Sequence, residues 1–506
     1  MKIERTKNTV RNITFGAVYR IINILLPFAS RTVILYVLDD KYLGLSSLFT
    51  SILSFLSLAE LGIGNAMVYS MYKPVAENDN ETICALLNLY RKYYRIIGII
   101  IFALGAALTP FLPRLIKGEV PPDVNLYLLY YIYLFNTVLS YFLFSYKTSI
   151  LYAYQRNDVE SKIASVVTPA SYVVMLGMLF ITKNYYAYVI WLPVFTIITN
   201  LSRFFYIRKH YPGLTPQGEV SKELRLDISK KVRAIFGAKL NTVVLNAADN
   251  IVMSVFFGLT VIAQYGNYYY ILSSITGFLG IAYSAMTAGV GNSLKTETLD
   301  KNYADFEKFS FINSWLVGWC TICLACLYQP FMRIWAGEKL MFSIWIALHF
   351  CLYFYIYMIR KIPIIYKDAA GIWWEDRFRP YVSMIVNVVL NITLSKLIGV
   401  SGIILSTVIS LIISIPWENW TIFKFVFHRS SKRYYLKMLY FFIVTLIAGG
   451  VTFFLCSLPS DTIPAFTAKM GICVVVPNVI FFAMNFKRPE FKSALELAKG
   501  ILKIKK

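Results

Sequence analysis

The chain has 506 residues, 58% of them hydrophobic and only 15% charged, with mean hydropathy +0.59 and a formal net charge of +23. A soluble core of this size needs no succession of long unbroken apolar runs, and this sequence consists largely of them, which excludes a soluble globular protein. The excess Lys and Arg is spread over many short segments rather than one face, which excludes nucleic acid as its cause and suits anionic lipid headgroups.

An apolar helix of about 20 residues crosses a hydrocarbon core of about 30 Å because its backbone satisfies its own hydrogen bonds. Such segments lie at approximately 14–38, 43–70, 93–116, 125–151, 163–182, 187–207, 234–258, 263–290, 309–332, 341–366, 380–398, 401–423, 435–457 and 464–485. The fold class is therefore an all-α polytopic membrane protein of about 14 transmembrane helices. The first segment follows a basic stretch, as in a signal peptide, but it is too long, carries Arg20, Pro27 and Arg31, and lacks a small-residue cleavage site after it. It reads as a retained first span.

An even number of spans puts both termini on one side. That side holds Lys2/Arg5/Lys7/Arg11, Arg91/Lys92/Arg95, Lys222/Arg225/Lys230/Lys231/Arg233, Arg377/Arg379, Lys432/Arg433/Lys437 and Lys503/Lys505/Lys506. The opposite loops hold only Lys41, Arg114, Lys117, Lys183, Arg333, Lys339 and Lys396. The positive-inside rule predicts cytoplasmic termini, with the loops near Val120 and Asp461 outside.

The longest cytoplasmic connection, about Arg208 to Arg233, contains Tyr211 to Pro216 and then a charged helical stretch. Phe15-Gly16-Ala17 opens span 1 and Phe236-Gly237-Ala238 opens span 7. Gly62-Ile63-Gly64-Asn65 closes span 2, and Gly289-Val290-Gly291-Asn292 closes span 8. Their equivalent positions favour a parallel duplication with its axis along the membrane normal. The expected divisions are a first lobe at 1–208, a linker at 209–233, a second lobe at 234–424, two further spans within 425–485 and an amphipathic tail at 486–506. In that tail Phe491, Leu495, Ala498 and Leu502 form an apolar stripe opposite Lys492, Glu496, Lys499 and Lys503, which suits the inner membrane surface.

Charged residues inside spans are costly and mark cavities or partners. In span 1, Gly16, Arg20, Asn23, Pro27 and Arg31 follow one polar stripe; in span 7, Lys239, Thr242, Asn246 and Asp249 do the same. Span 2 adds Glu60 and span 4 adds Lys147. Arg20, Arg31, Lys147 and Lys239 suggest an anion site, with Glu60 and Asp249 as charge-balancing or ion-coupling partners. The competing reading is that the cations snorkel to headgroups, Lys147 being nearest a helix end, and that the acids are structural partners. Cys320, Cys323 and Cys326 have a metal-like spacing but lie on an apolar helix without His or acidic companions, so they are expected to be buried packing residues and no metal site is assigned. His210, His349 and His428 are scattered, and no phosphate loop or nucleophile motif points to an enzyme.

Asn12 to Pro74, with Leu26-Pro27-Phe28, Arg31-Thr32, Tyr42-Leu43-Gly44-Leu45 and Glu60-Leu61-Gly62-Ile63-Gly64-Asn65-Ala66, resembles the N-terminal half of bacterial polysaccharide repeat-unit flippases. Ala248-Asp249-Asn250-Ile251-Val252 with Tyr265-Gly266 resembles their seventh and eighth spans. Asn387-Val388-Val389-Leu390-Asn391, Gly399-Val400-Ser401-Gly402-Ile403 and Ser406-Thr407 resemble their eleventh and twelfth. These exporters belong to the multidrug/oligosaccharidyl-lipid/polysaccharide superfamily.

The resemblance implies two six-helix lobes around a central cavity and alternating access in the bacterial cytoplasmic membrane. It implies an undecaprenyl-pyrophosphate-linked oligosaccharide moved from the inner to the outer leaflet, with a coupling cation, Na+ or H+. Partners would be that glycan lipid, anionic lipids, and the polysaccharide polymerase and chain-length proteins of the same pathway. Fixed Arg and Lys would offset the desolvation of pyrophosphate, and tyrosines such as Tyr268-Tyr269-Tyr270 would face sugars or anchor at the interface. A lipid II flippase and a cation-coupled multidrug exporter are the alternatives within the superfamily. A membrane-bound polymerase or glycosyltransferase is the alternative of another class.

Overall fold

The computed structural model describes residues 5–60, 62–459 and 463–503. Lys2, Leu61, the loop at Asp461 expected outside, and the tail cations Lys505 and Lys506 lie outside the described residues, as does the side chain of Asn246.

The chain divides into two compact units, Met1–Ala263 and Gln264–Lys506. The first contains α1 (Arg5–Val37), α2 (Asp40–Leu56), α3 (Ile63–Glu77), α4 (Asn80–Leu108), α5 (Leu126–Phe142), α6 (Thr148–Ala153), α7 (Asn157–Thr182), α8 (Tyr185–Val189), α9 (Trp191–His210) and α10 (Lys222–Phe257). Next comes α11 (Leu259–Thr296), which begins at the end of the first unit. The second contains α12 (Leu299–Ala336), α13 (Ile344–Ile359), α14 (Lys361–Ala370), α15 (Arg379–Ile398), α16 (Val400–Phe425), α17 (Lys432–Ser457), α18 (Ile463–Asn485) and α19 (Pro489–Lys503).

Side-chain caps fix several of these starts by satisfying orphan backbone donors. Asp79 accepts from the Thr82 amide at 2.9 Å to open α4, and Ser221 accepts from the Leu224 amide at 3.2 Å to open α10. The charged half of the expected 209–233 connection is therefore the first turns of α10 rather than a separate linker helix. Helix α10 packs on α2 and α3 within the first unit.

Among the described residues, twelve helices are long and apolar enough to cross a membrane, thirteen if α5 and α6, bent by 49°, form one span with the short turn between them. The remaining expected segment, 43–70, is divided between α2 and α3, of 17 and 15 residues. Helices α11 and α12, at 38 residues each, run about 57 Å at 1.5 Å per residue and overrun the bilayer. Large apolar side chains such as Val173, Ile181 and Leu397 stand on the exterior, where lipid replaces water. This is a multi-pass membrane protein.

Without a hydrophobic force between helices in lipid, close packing and interhelical hydrogen bonds hold them together. In the α15–α16 pair, Asn387 donates to Thr407 Oγ1 at 3.0 Å and Ser406 donates to Asn391 Oδ1 at 2.9 Å. A Cβ on Gly402 would lie 2.2 Å from the Leu394 carbonyl oxygen, so only glycine fits. The Asn, Ser, Thr and Gly that carry the resemblance in spans 11 and 12 are thus helix-pairing residues. Gly402→Leu is expected to cost about 3 kcal/mol, because backbone cannot yield as a side chain can; a melting midpoint in detergent equal to that of the unsubstituted protein would contradict this packing.

In the second unit α12 packs against α13, α17, α18 and α19. Tyr268 is fully buried there: its hydroxyl donates to Gln329 at 2.8 Å and its ring stacks on Phe350. It is a core residue, neither a sugar platform nor an interfacial anchor. The tail helix α19 docks through Phe491, which stacks on Trp315, and Glu490, which pairs with Lys437 at 2.6 Å. Leu495 remains exposed on α19.

Candidate functional site

The second span breaks in the middle. Helix α2 ends at Leu56, a 3-10 turn runs Ser57–Glu60, and Gly62 takes φ 86, a left-handed conformation open to glycine, before α3 starts. Irregular backbone at membrane depth persists only where it is buried in protein or lines a wet cavity. Here it lines one. Three cavities of about 660, 610 and 520 Å³ lie within the first unit, and Glu60 stands on the wall of each.

The Glu60 carboxylate is held on both oxygens. Tyr94 donates to Oε1 at 2.5 Å and Tyr141 to Oε2 at 2.6 Å, while Tyr90 donates to the Tyr94 hydroxyl at 2.8 Å. Helices α4 and α5 thus present three phenols around one acid at the helix break. Lys239 of α10 is exposed and lines the largest of these three together with Glu60, Asn65, Asn136 and Tyr133. Arg203 of α9 lines the other two and pairs with Glu160 of α7. Arg203 Nε and Glu160 Oε2 are buried without a hydrogen-bond partner among the described residues. The charged groups on these walls are two acids and two bases, with hydroxyls and amides between them.

Of the sequence-derived candidates, Glu60 and Lys239 come together at one cavity. Asp249 is buried further along the same helix α10, next to Asn250, which donates to Ser51 of α2 at 2.8 Å. Lys147 lines none of the three cavities. It is buried just beyond the α5 break, where Phe144 takes φ 58, and its ammonium lies 4.6 Å from the Phe204 ring centroid. A cation–π contact in a buried setting thereby replaces both snorkelling and a cavity position. Arg20 is exposed and Arg31 half-buried on α1, and neither lines any of these three cavities.

The sequence reading missed Arg203, Glu160, Tyr94 and Tyr141. Arg203 sits inside the expected sixth span, so the rule that singled out Arg20 applied equally to it; the tyrosines had no signal among 37. It also missed the buried charge network of the second unit. There Arg360 donates to Glu418 through Nε at 2.9 Å, Arg379 Nη1 lies 2.8 Å from Glu418, and Asp376 takes both Arg379 at 2.7 Å and Lys367 at 2.5 Å. Burial alone would raise the Asp376 carboxyl, but Arg379 and Lys367 hold it below its ordinary value.

No family profile matches the chain, and no curated protein matches it. Solved structures do. The lipid II flippase MurJ, in an inward closed conformation, aligns with a TM-score of 0.64 at 16% identity over 93% of this chain and 98% of that one. A multidrug resistance MATE family transporter of the MOP superfamily, in an inward-facing conformation, gives 0.60 at 15% identity over 81% and 98%. A eukaryotic MATE transporter gives 0.56 at 11% identity over 82% and 96%. At such identities the likeness is one of fold: this chain has the polytopic helical fold of MATE and MurJ transporters.

Proposed function

We propose that the protein is a flippase that moves undecaprenyl-pyrophosphate-linked oligosaccharide repeat units from the inner to the outer leaflet of the bacterial cytoplasmic membrane by alternating access, with both termini cytoplasmic. The observation that carries this reading is the broken second span, which opens polar, phenol-rich cavities at membrane depth. Hydroxyls, amides and aromatic faces suit sugars, and Lys239 and Arg203 offer cationic donors to a phosphate. The alignment over nearly the full length of a lipid II flippase supports a lipid-linked substrate. Glu60, held by two phenols at the helix break, is the group we assign to the coupling cation, Na+ or H+. Arg20, Arg31 and Lys147 then serve in other states of the cycle or in packing.

A second reading, a cation-coupled multidrug exporter, draws on the equal number of acids and bases on the cavity walls, since an acid among aromatic rings also suits an organic cation. Depletion separates the two. Mass spectrometry of lipid extracts is expected to show undecaprenyl-pyrophosphate carrying a completed repeat unit accumulating after depletion. Unchanged lipid intermediates, with raised sensitivity to lipophilic cations, would instead establish the exporter.

A further inference from the structure

Four of the seven cysteines gather in the second unit from three separate helices. Cys326 of α12, Cys456 of α17 and Cys473 of α18 are all buried, and their sulfurs lie within 4.8 Å of one another. Cys456 Sγ and Cys473 Sγ are 3.8 Å apart. Cys323, one turn before Cys326, brings its own sulfur to 3.8 Å from the Cys473 carbonyl oxygen. Among the described residues this is the one group of His, Cys, Asp or Glu whose donor atoms converge so closely.

We propose that Cys326, Cys456 and Cys473 form a binding site for a divalent thiophilic d10 ion of the Zn2+ class. The geometry fits such an ion better than a disulfide. A metal–sulfur bond of about 2.3 Å places thiolates about 3.8 Å apart around a tetrahedral centre and about 4.0 Å apart around a trigonal one. A disulfide requires about 2.05 Å, far closer than the 3.8 Å between Cys456 and Cys473. Soft thiolates without carboxylates or imidazoles also select this class of metal over Mg2+ or Ca2+.

Charge accounting points the same way. Binding a divalent ion releases one proton from each of three thiols and leaves the centre at −1, which an apolar interior resists. Lys469, buried one turn before Cys473 on α18, places a positive charge near Cys456, and its backbone carbonyl accepts from Cys456 Sγ at 3.8 Å. Cys456 is one residue from the end of α17, so the site lies close to that end of the helix. The Trp319 indole donates to the Cys473 carbonyl at 2.9 Å and fixes that turn from α12. Occupied, the site staples the α17–α18 hairpin to α12. The spacing on α12 alone gave no reason to expect this, because the completing thiols come from spans remote in sequence.

The test uses the purified full-length protein in detergent, reduced and stripped with a chelator, then titrated with Cd2+ as the probe. We expect a saturable thiolate-to-metal ultraviolet charge-transfer band at one equivalent, displaced by Zn2+, and a melting midpoint that rises with Zn2+ concentration. Cys326→Ser and Cys473→Ser should lose the band while eluting as the unsubstituted protein does, and Cys84→Ser should keep it. Absence of a stoichiometric band in the unsubstituted protein overturns the site whatever the variants do. So does an undiminished band in Cys326→Ser/Cys456→Ser/Cys473→Ser.

Discussion

Glu60→Gln is expected to lower transport by about 10- to 100-fold while leaving folded protein at the unsubstituted level. The two phenol contacts can both persist, since the amide oxygen still accepts from one hydroxyl and the amide nitrogen can donate to the other. What disappears is the negative charge and the oxygen that a coupling cation would bind. A charged hydrogen-bonded group is worth about 1.5–3 kcal/mol, which sets the size of the effect. Tyr94→Phe and Tyr141→Phe each remove one of the donors at 2.5 and 2.6 Å and should give smaller losses, because the carboxylate remains. Lys239→Ala should also impair transport, by removing the cation that shares the cavity of about 660 Å³ with Glu60. Transport by Glu60→Gln equal to that of the unsubstituted protein would remove Glu60 from the mechanism.

The second large effect is on stability. Glu418 is almost fully buried and receives both Arg360 and Arg379, while Lys367 and Arg379 lean on Asp376. Three cations are thus balanced by two carboxylates in the second unit. Removing one partner of a buried pair costs about 3–5 kcal/mol, because the remaining charge stays desolvated and unpaired. Against a total stability of about 5–15 kcal/mol, Glu418→Gln should remove a large share of the stability and clearly lower the melting midpoint in detergent. Pairing Glu418→Met with Arg360→Met should recover part of the loss, since an apolar pair of similar volume carries no desolvation penalty. Monodisperse elution and an unchanged melting midpoint for Glu418→Gln would show that the network carries no such energy.

The fold was legible in the sequence because bilayer thickness fixes the length of an apolar helix, and the segments expected from residue 14 to residue 485 all have helical counterparts. Breaks within spans were not legible. The interruption at Ser57–Glu60 leaves hydropathy high on both sides, and only Gly62 and the acid beside it hinted at it. Glu60 and Lys239 were found because a charge in an apolar run is visible without knowing its neighbours. Arg203, Arg360 and Glu418 carried the same signal but lie near the ends of their spans, where a charge reads as an interfacial residue. The phenols around Glu60 and the thiols around Cys473 belong to helices far apart in sequence, so their meeting is a property of packing.

The most direct measurement is transbilayer movement in proteoliposomes. The purified protein would be reconstituted with a fluorescent short-chain polyprenyl-pyrophosphate oligosaccharide, and its appearance in the opposite leaflet followed by membrane-impermeant quenching under an imposed Na+ or H+ gradient. The account predicts transfer well above that of protein-free vesicles, dependent on one of the two gradients and lost with Glu60→Gln. Transfer at the protein-free rate by folded, correctly inserted protein under either gradient would contradict it.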